Sequence, residues 1–159
     1  MIVLHYTEGG TIKSIYDYFN KDEIEPARKF NRDKSLLNVS SHYVIDRDGI
    51  VYHLIADTLF ARHIIGLNYC SIGIENIGSK KEPLTDQQVI ANAKLIRHLC
   101  KKNKIKFLIG HSEYSAFRNS ALWKENDPHY YTIKDDPGID FLAKVRELIS
   151  DINLKRNPE

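Results

Sequence analysis

Short apolar runs of strand length alternate along this chain with helices that begin at explicit caps, and few folds accommodate that alternation. Ile2–Tyr6 reads as a buried strand ending at the polar turn Thr7-Glu-Gly-Gly10. Thr11 is placed to cap a helix carrying Ile12, Ile15, Tyr16 and Phe19. Residues 39–46 and 50–55 are rich in β-branched and aromatic residues and flank Arg47-Asp-Gly49, which predicts a hairpin. Residues 71–77 predict another strand. Thr85-Asp-Gln-Gln88 is a capping box ahead of a helix with Val89, Ala93, Ile96 and Cys100 on one face. Residues 106–109 predict a further strand. Asp136-Pro-Gly138 opens a last amphipathic helix with Phe141, Leu142, Val145, Leu148, Ile149 and Ile152. Residues 20–38 are polar and charged, contain Pro26, and read as a surface connection. Strands interleaved with long helices predict an α/β domain, a central mixed β-sheet flanked by helices.

Composition narrows the function classes. The 159 residues fit one domain, 1–159, large enough to hold a core without disulfides. Hydrophobic residues at 42% and charged residues at 28% exclude a disordered chain. A net charge of +2 argues against a dedicated nucleic-acid binder. No apolar run approaches the roughly 20 residues of a transmembrane segment. Two cysteines, Cys70 and Cys100, do not make a disulfide framework, and Cys100 reads as a packed thiol.

The chemistry-bearing residues gather at element ends. His5 ends the first predicted strand, His111 follows Phe107-Leu-Ile-Gly110, and Asp136 starts the last helix. Sites in open α/β sheets collect at the carboxyl ends of strands. Two imidazoles and one carboxylate suit Zn²⁺, with the fourth position left for water. Each has a structural alternative: a hydrogen-bonded histidine, or an Asp136 N-cap with Pro137 at the first helical position. In Ser71-Ile-Gly-Ile-Glu75 the isoleucines share one strand face, and Ser71, Gly73 and Glu75 share the other. A glycine and a carboxylate on one face invite a close approach there. Glu75 is then a candidate general base or, alternatively, an ion-paired strand-end residue. Lys134, two residues before Asp136, is a candidate oxyanion stabiliser or an ordinary loop lysine. His42 and His63 are candidates to line a cleft.

Six segments in order carry a resemblance: Ile2-Val-Leu-His-Tyr-Thr7, Val39-Ser-Ser-His-Tyr-Val-Ile-Asp-Arg-Asp-Gly49, Ala61-Arg-His63, Asn68-Tyr-Cys-Ser-Ile-Gly-Ile-Glu75, Gly110-His-Ser-Glu113 and Lys134-Asp-Asp-Pro-Gly138. Together they resemble the zinc-dependent type-2 N-acetylmuramoyl-L-alanine amidases, a fold shared with phage lysozyme-type amidases and peptidoglycan-recognition proteins. The resemblance implies a zinc cleft at the strand ends, with His5, His111 and Asp136 as ligands. It implies Glu75 as the catalytic carboxylate and Lys134 as the group that stabilises the transition state. His42 and His63 match histidines that line the cleft, and Arg62 and Asn68 are assigned with them to substrate binding. The implied reaction is hydrolysis of the amide between the lactyl group of N-acetylmuramic acid and L-alanine, in peptidoglycan or muropeptides. A non-catalytic muropeptide receptor on the same fold is the alternative.

The chain departs from the family pattern in places. Arg62 stands where many relatives have Trp, Ile64-Ile65 replaces a small residue, and Ser41 takes the position of a catalytic Tyr in the phage branch. Residues 113–133 form a longer, aromatic-rich loop that either binds substrate or packs on the domain. That loop resembles the one in exported bacterial members. The expected compartment is therefore the cell envelope, periplasmic or extracellular, with a leader removed ahead of residue 1. A cytoplasmic enzyme that recycles imported wall fragments is the alternative. A monomer is expected.

Overall fold

The structure, a computed structural model, describes residues 1–158. Five strands form one mixed sheet: β1 (Ile2–Tyr6), β2 (Tyr43–Ile45), β3 (Val51–His53), β4 (Ile72–Asn76) and β5 (Leu108–Gly110). Their order is β3-β2-β4-β1-β5. β1 lies between β4 and β5 and runs parallel to both, and β2 runs parallel to β4. Only the β2–β3 hairpin is antiparallel. The carboxyl ends of β1, β4 and β5 therefore finish at one edge of the sheet.

Among the described residues four α-helices accompany the sheet: α1 (Ile12–Phe19), α2 (Lys29–Arg32), α3 (Asp86–Lys102) and α4 (Ile139–Leu148). The expected caps form at α1 and α3. Thr11 and Ser14 make a reciprocal capping box, as do Thr85 and Gln88. α4 starts differently from the sequence expectation. Its N-cap is Gly138, at φ 91°, and no side chain caps it. The N-cap alternative for Asp136 therefore does not hold, and its carboxylate is available elsewhere. α4 also ends at Leu148, short of Ile149 and Ile152, although Ile149 still packs in the core.

Side chains alternate across the sheet and divide its two faces. Ile2, Leu4, Ile72, Ile74 and Leu108 pack against α3 and α4 in the larger core. Val3 and Ile109 face the other way, against Leu67, Tyr114 and Phe117. His5 and Glu75 have the parity of this second face, as does His111 just beyond β5. A buried polar chain ties α3 to the end of β1: Asn92 Nδ2 donates to Asn76 Oδ1 (2.7 Å), and Asn76 Nδ2 donates to the His5 carbonyl (3.0 Å). The backbone that presents His5 is thus held from the helix side.

Candidate metal centre

The parallel register assembles the centre. His5 of β1 stands directly beside Glu75 of β4, and Leu4 stands beside Gly110, so His111 begins one residue past the pairing of β5 with β1. A 3₁₀ turn, His111–Phe117, starts at that point and turns the chain off the sheet. The Ser112 N–H donates to the Asp136 carbonyl (3.0 Å), which brings the segment before α4 back onto it.

Three side-chain atoms converge in a triangle. His5 Nδ1 lies 3.0 Å from His111 Nδ1 and 3.2 Å from Asp136 Oδ2. His111 Nδ1 lies 3.1 Å from the same oxygen. All three residues are buried and form a group able to hold a metal ion. Atoms bound about 2.0–2.2 Å from a tetrahedral Zn²⁺ stand roughly 3.3–3.6 Å apart. The triangle differs from that by only a few tenths of an ångström. The donor set, two imidazole nitrogens and a carboxylate oxygen, also suits zinc.

Glu75 supplies a second observation that fits such an ion. Its Oε2 is buried and has no hydrogen-bond partner among the described residues. A buried acceptor without a partner is costly unless something else meets it. Glu75 shares a cavity of about 250 Å³ with His5, His111, Asp136 and Lys134. Burial pushes its carboxyl up to about 7, the protonation range of a group that takes and returns protons near neutrality. For Asp136 burial acts in the same upward direction. Hydrogen bonds from His111 and His5 outweigh it and hold the carboxyl well below the usual carboxylate range. His111 is lowered to about 4 by burial and then by the neighbouring His5. Lys134 is half-buried at the cavity mouth and makes no hydrogen bond or ion pair among the described residues.

The residues expected to touch substrate are placed unevenly. His42 is fully buried. Its Nδ1 accepts the Gly73 N–H (3.0 Å), and its Nε2 donates to the Leu59 carbonyl (3.0 Å). It therefore braces β4 from below, instead of lining the cleft. Arg62 lines the cleft, but its guanidinium donates to the carbonyls of Asn31, Ser35 and Leu37. Asn68 also lines it, with Oδ1 accepting the N–H groups of His63 (2.8 Å) and Ile64 (2.7 Å). His63 lies against the metal group: its Nδ1 is 3.0 Å from His5 Nε2. The close approach expected at Gly73 is made by this ring, which a Cβ there would meet at 2.8 Å. Ser41 is buried and donates to the Tyr43 carbonyl.

One feature of the cleft was missed in the sequence, and another was left between two alternatives. Residues 20–38, read as a surface connection, form one of its walls. Arg28 reaches the metal-side cavity and also a neighbouring cavity of about 290 Å³, and Lys34 and Leu37 line the second. No periodicity or motif marks this segment. The aromatic loop mostly packs on the domain. Tyr114 and Phe117 are buried, and the Trp123 ring covers Gly66. Tyr130 is the exception that also lines the second cavity.

The family model described as N-acetylmuramoyl-L-alanine amidase matches residues 1–138. No curated protein matches significantly. Among solved structures, the chain is similar to the N-acetylmuramoyl-L-alanine amidase LysC from Clostridium intestinale URNW. The TM-score is 0.63, with 20% identity over 98% of this chain and 85% of that one. It is similar to a selenomethionine derivative of AmpD, at a TM-score of 0.60 and 26% identity over 93% of this chain and 83% of that one. It is also similar to human PGRP-IBETAC in complex with glycosamyl muramyl pentapeptide. There the TM-score is 0.54, with 17% identity over 78% of this chain and 84% of that one.

Proposed function

Because the chain belongs to the N-acetylmuramoyl-L-alanine amidase family, we propose that it is a zinc amidohydrolase that cleaves the bond between the lactyl group of N-acetylmuramic acid and L-alanine. The observation that carries this reading is the His5–His111–Asp136 triangle with the unpartnered Glu75 Oε2 in the same cavity. Those three residues would hold Zn²⁺, which supplies Lewis acidity and a water of lowered pKa. Glu75 accepts a proton from the attacking water as its oxygen bonds to the lactyl carbonyl carbon. Lys134, without a hydrogen-bond or ion-pair partner among the described residues, donates to the carbonyl oxygen as negative charge develops there. As the C–N bond breaks, Glu75 returns the proton to the amine of L-alanine, leaving a free carboxylate and a free peptide.

The substrate class is peptidoglycan or its muropeptide fragments, with the cell envelope as the site of action. The similarity to a recognition-protein structure holding a glycosamyl muramyl pentapeptide supports a sugar–peptide ligand. The test is mass spectrometry of products from a defined N-acetylmuramoyl tripeptide, with zinc-loaded protein and an EDTA-treated control. Zinc-dependent release of peptide with a new L-alanine amine is expected. Cleavage within the stem would replace the amidase with a peptidase. Binding of zinc and substrate without any cleavage would favour the receptor.

A further inference from the structure

We propose that His63 is a positioning residue that fixes the tautomer of His5, at the end of a directed hydrogen-bond relay that starts at the Leu67 carbonyl. The inference rests on the zinc reading of His5 and deepens it.

The relay has three links. Ser71 Oγ lies 2.8 Å from the Leu67 carbonyl oxygen. The same Oγ lies 3.1 Å from His63 Nε2. His63 Nδ1 lies 3.0 Å from His5 Nε2. Its direction follows from counting protons. A carbonyl only accepts, and a hydroxyl has one proton to give. The shorter contact takes that proton, so Ser71 Oγ is an acceptor toward His63, and His63 carries its proton on Nε2. Among the described residues His63 has no carboxylate within hydrogen-bond reach; its ring neighbours are His5 and His42. A neutral ring with its proton on Nε2 presents a lone pair at Nδ1. That lone pair accepts the N–H from His5 Nε2. The neutral His5 ring then bears its lone pair on Nδ1, the atom that faces His111 Nδ1 and Asp136 Oδ2.

The surroundings hold His63 for this task. The Asn68 Oδ1 clamp fixes its backbone N–H. Gly73 leaves room for the ring on the sheet, where any Cβ would collide with it. Histidines that bind metal generally donate their second ring N–H to an acceptor, most often a carboxylate or carbonyl, and loss of that acceptor weakens the metal 10–100-fold. Here a histidine, itself oriented by a serine, takes the acceptor's place.

The experiment measures the Zn²⁺ dissociation constant by competition with a chromophoric chelator, in the wild type and in His63→Leu, His63→Asn and Ser71→Ala. It also records the ring N–H resonances of each zinc-loaded protein by ¹⁵N-edited NMR. His63→Leu is expected to weaken zinc by about 10-fold or more and to expose the His5 Nε2–H to rapid exchange. In His63→Asn the Oδ1 takes the place of Nδ1 as acceptor, so affinity and the protected proton return in large part. Ser71→Ala is expected to fall between wild type and His63→Leu. Wild-type affinity in a folded His63→Leu overturns the proposal, and so does an equal loss in His63→Asn and His63→Leu. If His63→Leu does not fold, wild-type affinity with an unchanged His5 resonance in Ser71→Ala overturns it instead. A wild type that binds no zinc sinks the metal centre itself, whereas tight zinc binding that ignores all three changes sinks only the relay.

Discussion

Glu75 stands beside His5 in the register with one carboxylate oxygen unpartnered, so its substitution should separate metal binding from turnover. Glu75→Gln is expected to keep zinc and lower turnover by about 10²–10⁴-fold. Near-wild-type turnover in that variant would move the general base elsewhere. The same carboxyl makes stability depend on pH in the metal-free protein. Burial raises it to about 7 from an ordinary 4.5, so between those values the folded state binds more protons than the unfolded state. Stability conferred by the proton is fully present below about 4.5 and is lost as pH rises through about 7. Thermal melts in EDTA should therefore show the wild type losing ground to Glu75→Gln across that window, and parallel curves would contradict the buried-carboxyl reading. His5 and His111 were legible because they stand at strand ends, which parallel strands bring together; Glu75 was legible from the face it shares with Gly73, and Asp136 from its place just ahead of the last helix. The surroundings of His63 were not legible. Its partners His5, Ser71 and Gly73 are joined to it through a loop that folds back on the sheet, and nothing in the spacing encodes that return.

Among the elements, the helices were the more readable, since Thr11–Ser14 and Thr85–Gln88 announce their starts with side chains that bond locally. The hairpin was read longer than it is. Its strands shrink to Tyr43–Ile45 and Val51–His53, and at residue 42 the β4 amide of Gly73 is met by the His42 ring. Residues 20–38 were misjudged because they are held by an isolated β-bridge, Glu23–Leu37, and by side-chain donors on backbone carbonyls, which leave no pattern in sequence. Arg62 is the main such tie, reaching Asn31, Ser35 and Leu37. Arg62→Ala is expected to cost about 1–3 kcal/mol, to raise KM more than it lowers kcat, and to make residues 20–38 the first site of limited proteolysis. Arg62→Lys should not restore the wall, because a single ammonium cannot fork between separate carbonyls. An unchanged proteolysis pattern in Arg62→Ala would show that the wall is held by other contacts.

At the scale of the whole molecule, one sheet separates two tasks. α3 and α4 cover one face and form the larger core, while the opposite face carries the His-His-Asp group and the cleft. No helix among the described residues is long and apolar enough to cross a membrane. A metal that binds only the folded state adds about 2.7 kcal/mol at a free concentration 100 times its dissociation constant. For a chain of this length that corresponds to a rise in Tm of roughly 5–10 °C. Calorimetry with zinc and with EDTA checks it; an unchanged Tm would mean that zinc does not recognise the folded centre. The three proposed ligands also stand far apart in the order of synthesis. His5 is made first of the three, and Asp136 follows His111 only after the whole aromatic loop has been made. A nascent chain interrupted anywhere before residue 136 offers at most two of the three, so capture of the ion by all three certifies that translation has passed the last residue on which the centre depends.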